Sequence, residues 1–151
     1  MAWLELTESH VMTRLSGPEL AALKTVALAD GQTDPLPEIL ADVIHEVRGY
    51  VSACGRNTLA EGATIPEKLK GAALAMIRYR LVTRLPAKSL MNDDRRKENS
   101  DALHLMRDVA GCKFAVDEPT TPAATQPAVL PSPTVSVRAA RRATHGHQDG
   151  L

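Results

Sequence analysis

Aromatic side chains are scarce in this sequence: Trp3, Tyr50, Tyr79 and Phe114 make up 3% of its 151 residues. Apolar residues as a whole account for 44% of the chain, which is enough for one domain with a real core but not comfortably for two. With so few aromatic rings, that core must be built from Leu, Ile, Val, Met and Ala. Such a composition favours helices packed on helices.

The chain also has no net charge, because 18 acidic side chains balance 18 basic ones. Proteins that bind nucleic acids are normally strongly basic, and solvating disordered proteins are strongly acidic. The charge balance therefore argues against both classes.

Long apolar runs are missing as well, since none approaches the ~20 residues of a membrane helix. Residues 1–5 lack the basic region and apolar stretch of a signal peptide. We therefore expect a soluble protein that is made in the cytoplasm and has no membrane partner.

Cysteine is represented by Cys54 and Cys112, which lie far apart and form no CxxC pair. We interpret them as two small buried apolar residues, since a disulfide or a metal site would need better spacing or more partners. This usage is typical of a protein in a reducing cytosol.

Enzyme signatures are also missing: the sequence has no GxSxG, Walker A, GxGxxG or HExxH motif. His10, His45 and His104 stand alone on predicted helices, where we expect solvated or capping roles. His145 and His147 have the spacing to grip a metal, but no third ligand accompanies them. We therefore expect no catalytic site, no metal site and no cofactor.

Helical periodicity is what the sequence does contain. Ser16 and Glu19 form a capping box, and Asp34–Pro35 is a typical helix start. Asp93–Asp94 fits the positive end of a helix dipole better than a metal pair. Five helices are predicted: one after Thr7 that ends at 16–17, one over 19–28, one from 34–35 to Gly55, one over 66–85 and one over 94–110. A loop over 56–64 separates the third helix from the fourth.

The third predicted helix carries one wide apolar stripe, and the fourth is apolar on more than one side, which places both at the centre. The predicted fold class is all-α, a small bundle of about four to five helices. A short extended piece over 113–116 follows the last helix. The stripe of the third helix consists of Leu36, Ile39, Leu40, Val43, Ile44, Val47, Tyr50 and Val51.

Composition changes abruptly after Val116, where prolines punctuate small residues up to Val137. Such a segment cannot be helical and has too little apolar bulk for a core, so it should be extended and largely polyproline-like. We therefore divide the chain into a helical domain over 1–117 and an extended Pro-rich tail over 118–151.

The tail has the side chains for binding a partner. Its alternation Val135-Ser136-Val137 suits addition as a strand to a partner's sheet edge. The alternative is an idle linker, and we favour the docked tail. The candidate partner-binding residues are Val129, Leu130, Val135, Val137, Arg138, Arg141 and Arg142.

A second candidate surface is the cluster of Arg78, Arg80 and Arg84 on the fourth helix, with Tyr79 among them. This cluster is a candidate DNA-channel or interface surface. A solvated or partner-facing helix surface is the alternative, because no aromatic platform or recognition-helix pattern accompanies the arginines.

Three segments in order resemble a known family. Residues 36–51 read LPEILADVIHEVRGYV, residues 65–81 read IPEKLKGAALAMIRYRL, and residues 99–116 read NSDALHLMRDVAGCKFAV. They are similar to the head–tail connector (adaptor, or head-completion) proteins of tailed bacteriophages, in particular the Mu-like branch. The resemblance covers about residues 5–117 and consists of helical patterns. The sequence ACGR after Gly49-Tyr50, where a second aromatic is usual, and the long tail depart from the family.

The resemblance implies a helical protein that forms a ring, usually of twelve copies, beneath the portal in the neck of the virion. Such a ring prolongs the channel through which genomic DNA passes non-specifically, and it offers a docking surface to the next neck or tail protein. The portal is the expected partner of the Pro-rich tail.

The alternative function is a small DNA-binding or regulatory helical protein that uses the arginines of the fourth helix and of 138–142. An enzyme or toxin-like protein is a third possibility, against which the absence of a nucleophile–base pair counts.

Overall fold

The computed structural model describes residues 3–26, 33–84 and 92–121. Within these residues the chain forms five α-helices and one two-stranded sheet, so the predicted helical class is confirmed. The helices are α1 (Glu8–Met12), α2 (Gly17–Val26), α3 (Leu36–Ala53), α4 (Lys70–Thr83) and α5 (Asp93–Ala110), and the strands are β1 (Trp3–Glu5) and β2 (Thr64–Pro66).

Polar side chains begin the two N-terminal helices as the sequence predicts. The backbone N–H of Thr7 donates to Nδ1 of His10 over 3.2 Å, which gives His10 a capping role on α1. At the start of α2, the backbone N–H of Ser16 donates to Oε2 of Glu19 over 2.7 Å, and the serine hydroxyl donates to the same oxygen over 2.8 Å. The carboxylate of Glu19 therefore supplies the predicted capping-box contact.

Helix α3 begins where Asp34 and Pro35 predict it, because Oδ1 of Asp34 accepts a hydrogen bond from the backbone N–H of Leu36 over 2.9 Å. Its predicted stripe forms one wall of the core, with Leu40 and Tyr50 half-buried at the margins. Helix α3 ends at Ala53, and Cys54 follows as its C-cap in an extended conformation, so the helix stops within two residues of the predicted end at Gly55. The buried members of the stripe are Leu36, Ile39, Val43, Ile44, Val47 and Val51.

Helix α4 is central, as predicted, because it is buried on more than one side. Helix α5 begins at Asp93 and is capped by Asn92, whose Oδ1 accepts a hydrogen bond from the backbone N–H of Arg95 over 2.9 Å. Asp93 and Asp94 therefore lie in the first turn, where the helix dipole favours them, and Asn92 provides the cap. The buried residues of α4 include Ala73, Leu74, Ala75, Met76, Ile77, Leu81 and Val82.

The two-stranded sheet was not predicted. Trp3 pairs with Pro66, Leu4 with Ile65 and Glu5 with Thr64 in an antiparallel register. The predicted loop therefore ends before Thr64, and the predicted helix from Pro66 is replaced by β2, a 3-10 turn at Glu67–Leu69 and then α4. Strands of three residues are too short to show an alternating pattern, although the residue before a proline is biased towards the extended conformation.

The interpretation of the two cysteines as separate apolar residues is wrong. Cys54, at the end of α3, and Cys112, just after α5, form a disulfide with a Cα–Cα distance of 5.3 Å. Their separation of 58 residues hides the pairing, because only the packing of α3 against α5 brings the two helix ends together. Cys112 has a φ of 57°, so this residue, and not Gly111, takes the left-handed conformation that ends α5. The inference of a reducing environment loses its basis.

The described residues after α5, 111–121, form no strand but stay attached to the helices. The indole Nε1 of Trp3 donates to the backbone oxygen of Asp117 over 2.9 Å, and Nζ of Lys68 lies 2.5 Å from Oδ1 of Asp117. Further on, the N–H of Glu61 donates to the backbone oxygen of Thr121 over 3.3 Å. The contacts of the helical domain therefore continue from the predicted boundary at 117 to at least Thr121.

Among the residues described, no helix combines the length and the apolar character that a bilayer span requires.

We expect Ile44→Asp to lower the free energy of unfolding by several kcal/mol, on the order of the cost of burying an unpaired charge. Ile44 is only 5% exposed in the core of α3. Chemical denaturation of the variant measures the loss. Gly49→Asp, which adds the same charge to an exposed position of the same helix where a Cβ atom meets nothing within 4 Å, is the control and should be at least as stable as the parent. Equal stability of the Ile44 variant and the parent would contradict the core described here.

Reduction of the Cys54–Cys112 disulfide should lower the stability by about 4 kcal/mol, because the chain-entropy model assigns that cost to opening a loop of this length. Urea unfolding with and without a thiol reductant measures the change. The double variant Cys54→Ser/Cys112→Ser should unfold like the reduced parent and should not respond to the reductant. Labelling of both cysteines by iodoacetamide in the unreduced, denatured protein would show that the disulfide does not form.

Candidate interaction surfaces

The three arginines of the predicted basic cluster do not share one surface of α4. At about 100° per residue, Arg80 and Arg84 lie on the same side of the helix, while Arg78 lies about 200° away from Arg80. Arg78 is 7% exposed, the side chain of Arg80 is 37% exposed, and Arg84 lies exposed at the end of the helix. The helix therefore presents two of the three arginines to its surroundings.

The prediction that Arg78 belongs to a DNA-contacting surface is corrected by the structure, because its guanidinium is buried inside the domain and pairs with Glu19. Nη2 of Arg78 donates to Oε2 of Glu19 over 2.6 Å, and Nε donates to Oε1 over 3.2 Å. This two-pronged pair is the geometry in which arginine binds a carboxylate most strongly. The sequence held a signal for burial, since Arg78 lies four residues after Leu74 and four before Val82, both of them buried.

Two residues of α5 complete this ion-pair cluster, which we define as Glu19, Arg78, Arg95 and Glu98. Nε of Arg95 lies 3.4 Å from Oε1 of Glu19, and Nη1 of Arg95 lies 3.5 Å from Oε2 of Glu98. Nη1 of Arg78 lies 3.8 Å from the same oxygen of Glu98. The cluster is neutral as a whole and joins α2, α4 and α5.

Glu19 remains ionised although it is only 2% exposed. Burial by itself raises the pKa of this carboxyl, but the hydrogen bonds from Arg78 and Ser16, together with the charge of Arg78, outweigh it and lower the pKa from 4.5 to about 2. A capping residue of α2 is thus also the counter-ion of a buried arginine. The cluster stabilises the fold, and we assign it no contact with an external ligand.

The C-terminal end of α4 is the part of the predicted basic surface that stays accessible. Arg80 pairs with Glu46 of α3, which neutralises part of its charge, while Arg84 lies at the end of the helix. Cations at this end also suit the negative pole of the helix dipole. The accessible basic surface is therefore smaller than the sequence predicts and is centred on Arg84.

A groove of about 210 Å³ lies between the N-terminal segment and α3. Its lining is largely apolar, with charged or titratable side chains of Glu5, Glu8 and His45 also at its walls. This volume is below the roughly 300–1,000 Å³ of typical small-molecule sites, so the groove is small for a cofactor. Its apolar lining consists of Leu6, Pro37, Leu40, Ala41, Ile44 and Ala63.

Arg48 fixes the loop that carries Ala63 to the groove. Its Nη1 donates to the backbone oxygen of Thr64 over 2.8 Å, and its Nη2 donates to that of Ala60 over 2.9 Å. The loop turns between these anchors at Gly62, whose φ of 70° is a conformation that L side chains rarely adopt. The position of Glu61, which binds the backbone of Thr121, is therefore set by α3.

The other predicted candidates take minor places or lie outside the described residues. His45 is exposed beside the groove, and His104 is exposed on α5, 3.7 Å from Asp108. No group of three or more His, Cys, Asp or Glu side chains that could hold a metal occurs in the described ranges. The residues of the tail that were predicted to bind a partner, together with His145 and His147, lie outside those ranges.

Comparison with known proteins gives one finding. A family model described as Bacteriophage Mu, Gp36 matches residues 6–132, which is most of the chain. No curated protein and no solved structure matches. The family match begins at the buried Leu6 and extends past the last described residue, Thr121.

We expect the ion-pair cluster to make the free energy of unfolding depend on pH, with a loss of stability in acid. The pKa of Glu19 is lower in the folded chain than in the unfolded chain, so the unfolded state binds more protons between about pH 4.5 and pH 2. The stabilisation is therefore complete above pH 4.5 and is lost, by about 3 kcal/mol, as the pH falls to 2. Urea unfolding across this pH range measures the loss.

Glu19→Gln should remove this part of the acid dependence and should destabilise the chain at neutral pH by about 3 kcal/mol or more, because Arg78 is then buried without its counter-ion. The control is Asp101→Asn, which changes an exposed carboxylate in the middle of α5. It should keep both the stability and the acid dependence of the parent. An unchanged acid dependence in the Glu19 variant would contradict the assignment.

Proposed function

Because the chain belongs to the bacteriophage Mu Gp36 family, we propose that it is a structural protein of the phage particle, the head-to-tail adaptor of the neck. In this proposal, a ring of probably twelve copies lies beneath the portal, prolongs the DNA channel and offers a docking surface to the next neck or tail protein. The protein is made in the host cytoplasm, becomes part of the virion, and has no enzymatic activity and no cofactor. The observation that carries the proposal is the family match over residues 6–132.

The described architecture suits a ring subunit for a physical reason. A head-to-tail contact that repeats around a closed ring places each copy between two neighbours, so a subunit needs a body that keeps its shape under contacts on opposite sides. The disulfide ties the end of α3 to the end of α5, and the ion-pair cluster ties α2, α4 and α5. Both features stabilise the relative positions of the helices, so the body keeps its shape when neighbours bind it.

For the DNA channel we propose the accessible basic end of α4, with Arg84 and in part Arg80. A channel through which DNA slides needs weak, sequence-independent contacts with phosphates, and isolated arginines beside carboxylates such as Glu46 have that character. Arg78 has no part in this surface because it is buried in the ion-pair cluster.

For the tail we propose a contact with the portal. Val135 and Val137 would supply small apolar side chains, and Arg138, Arg141 and Arg142 would pair with acidic groups or with phosphates. One tail binds weakly by itself, but copies held in a ring bind together, so that multivalency makes the joint durable. The described chain supports a fixed starting point for this tail, since Asp117 and Thr121 are hydrogen-bonded to the helical domain.

The proposal predicts that truncation after Thr121 leaves a folded domain that no longer attaches to portals. All described contacts of the domain remain in the truncated chain, so its helicity by circular dichroism should equal that of the full chain. Negative-stain electron microscopy of portals mixed with each protein measures attachment. We expect a ring below the portal with the full chain and bare portals with the truncated one.

The matched control replaces Arg138, Arg141 and Arg142 by Glu in the full-length chain, which keeps the length of the tail and reverses its charge. We expect this variant to attach weakly and to be more sensitive to salt. If truncated protein formed rings on portals as well as the full chain, the tail would be a linker. If the full chain left portals bare and bound DNA tightly and sequence-selectively, the adaptor role would be wrong and a regulatory DNA-binding role would replace it.

A further inference from the structure

The last described residue, Thr121, contacts the loop that contributes Ala63 to the apolar groove. The backbone oxygen of Thr121 accepts a hydrogen bond from the N–H of Glu61, and Ala63, two residues after Glu61, lines the groove. Arg48 holds the loop on both sides of these residues. Thr121, the last described residue before residue 122, is therefore held against the loop that forms one wall of the groove.

The composition of the next eleven residues matches the lining of the groove. Residues 122–132 read PAATQPAVLPS and contain no charged side chain, whereas residues 133–151 contain three arginines. An uncharged, Pro-containing chain is extended before it binds, so it loses less conformational entropy on docking than a Gly-rich one. Val129 and Leu130 are its largest apolar side chains and have the size to contact Leu40 and Ile44.

The length of this segment also fits. At about 3.1 Å per residue in an extended polyproline-like conformation, the eight residues from Thr121 to Val129 could span about 25 Å. The segment is therefore long enough for Val129 and Leu130 to reach a groove of about 210 Å³ from Thr121. The family match ends at residue 132, so the segment lies inside the part of the chain that fits the family, and residues 133–151 lie beyond it.

We propose that residues 122–132 bind in the groove of their own chain, with Val129 and Leu130 as the apolar anchors. The helical unit then extends to about residue 132, and the arm available to a partner begins at Pro133. This assignment withdraws Val129 and Leu130 from the predicted partner contact and leaves Val135, Val137 and the three arginines in it. It concerns the isolated chain and holds whether or not the protein is an adaptor.

The test uses methyl NMR of the full-length protein, with labelled Leu, Ile and Val side chains. We expect nuclear Overhauser contacts between the methyl groups of Leu40 or Ile44 and those of Val129 or Leu130. A chain truncated after Ser132 should keep the methyl shifts of Leu6, Leu40 and Ile44, and a chain truncated after Thr121 should lose them. Addition of a synthetic peptide of residues 122–132 to the shorter chain should restore the shifts.

The matched pair of variants separates the groove segment from the arm. Val129→Asp/Leu130→Asp should shift the groove methyl groups in the same way as truncation after Thr121, and Val135→Asp/Val137→Asp should leave them unchanged. Equal effects of the two variants, or full-chain shifts retained after truncation at Thr121, would overturn the proposal.

A mixture of labelled and unlabelled chains distinguishes the other occupants. Contacts within one labelled chain support the proposal, whereas contacts that appear only between labelled and unlabelled chains would make a second copy the occupant and overturn it. Because every arm of this test omits the portal, its failure is distinct from a failure of the adaptor proposal.

Discussion

The buried contact between Glu19 and Arg78 is the interaction on which the arrangement of the helices depends. Either charge alone would be strongly unfavourable at that depth, so each requires the other to be in place. Glu19 also caps α2, and Arg78 also faces α5 through Glu98, so a single carboxylate couples the start of one helix to the packing of two others. Apolar burial supplies most of the driving force for folding, whereas this pair is satisfied only when α2 and α4 lie in the observed relative position.

The sequence predicts the features of this fold that are local. The starts of α1, α2 and α3 depend on side chains within three residues of the helix end, at Thr7, Ser16 and Asp34, and each lies where the pattern places it. The stripe of α3 and the central position of α4 follow from periodicity alone. These features could be predicted because their causes lie within one turn of helix.

The features that sequence reasoning missed join residues that are distant in the chain. Glu19 and Arg78 are 59 residues apart, the two cysteines are 58 apart, and Trp3 pairs with Pro66 across the whole of α1–α3. No spacing rule reports such pairs, since packing creates them. The same holds for the candidate surfaces: the arginines on α4 were found as a cluster, but the division between buried Arg78 and accessible Arg84 required the neighbouring helices.

The disulfide also determines how the domain responds to mechanical load. A pull on the C-terminal arm, as a partner attached to it would exert, reaches Cys112 and passes through the covalent bond to Cys54 at the end of α3. The intervening loop, which contains α4 and α5, lies outside this covalent path and is joined to residues 113–121 by hydrogen bonds such as those of Asp117 with Lys68 and of Thr121 with Glu61. A force on the C-terminal arm is therefore transmitted to the long, buried α3 and does not separate α5 from the other helices. The arm can bear tension while α4 and α5 stay folded.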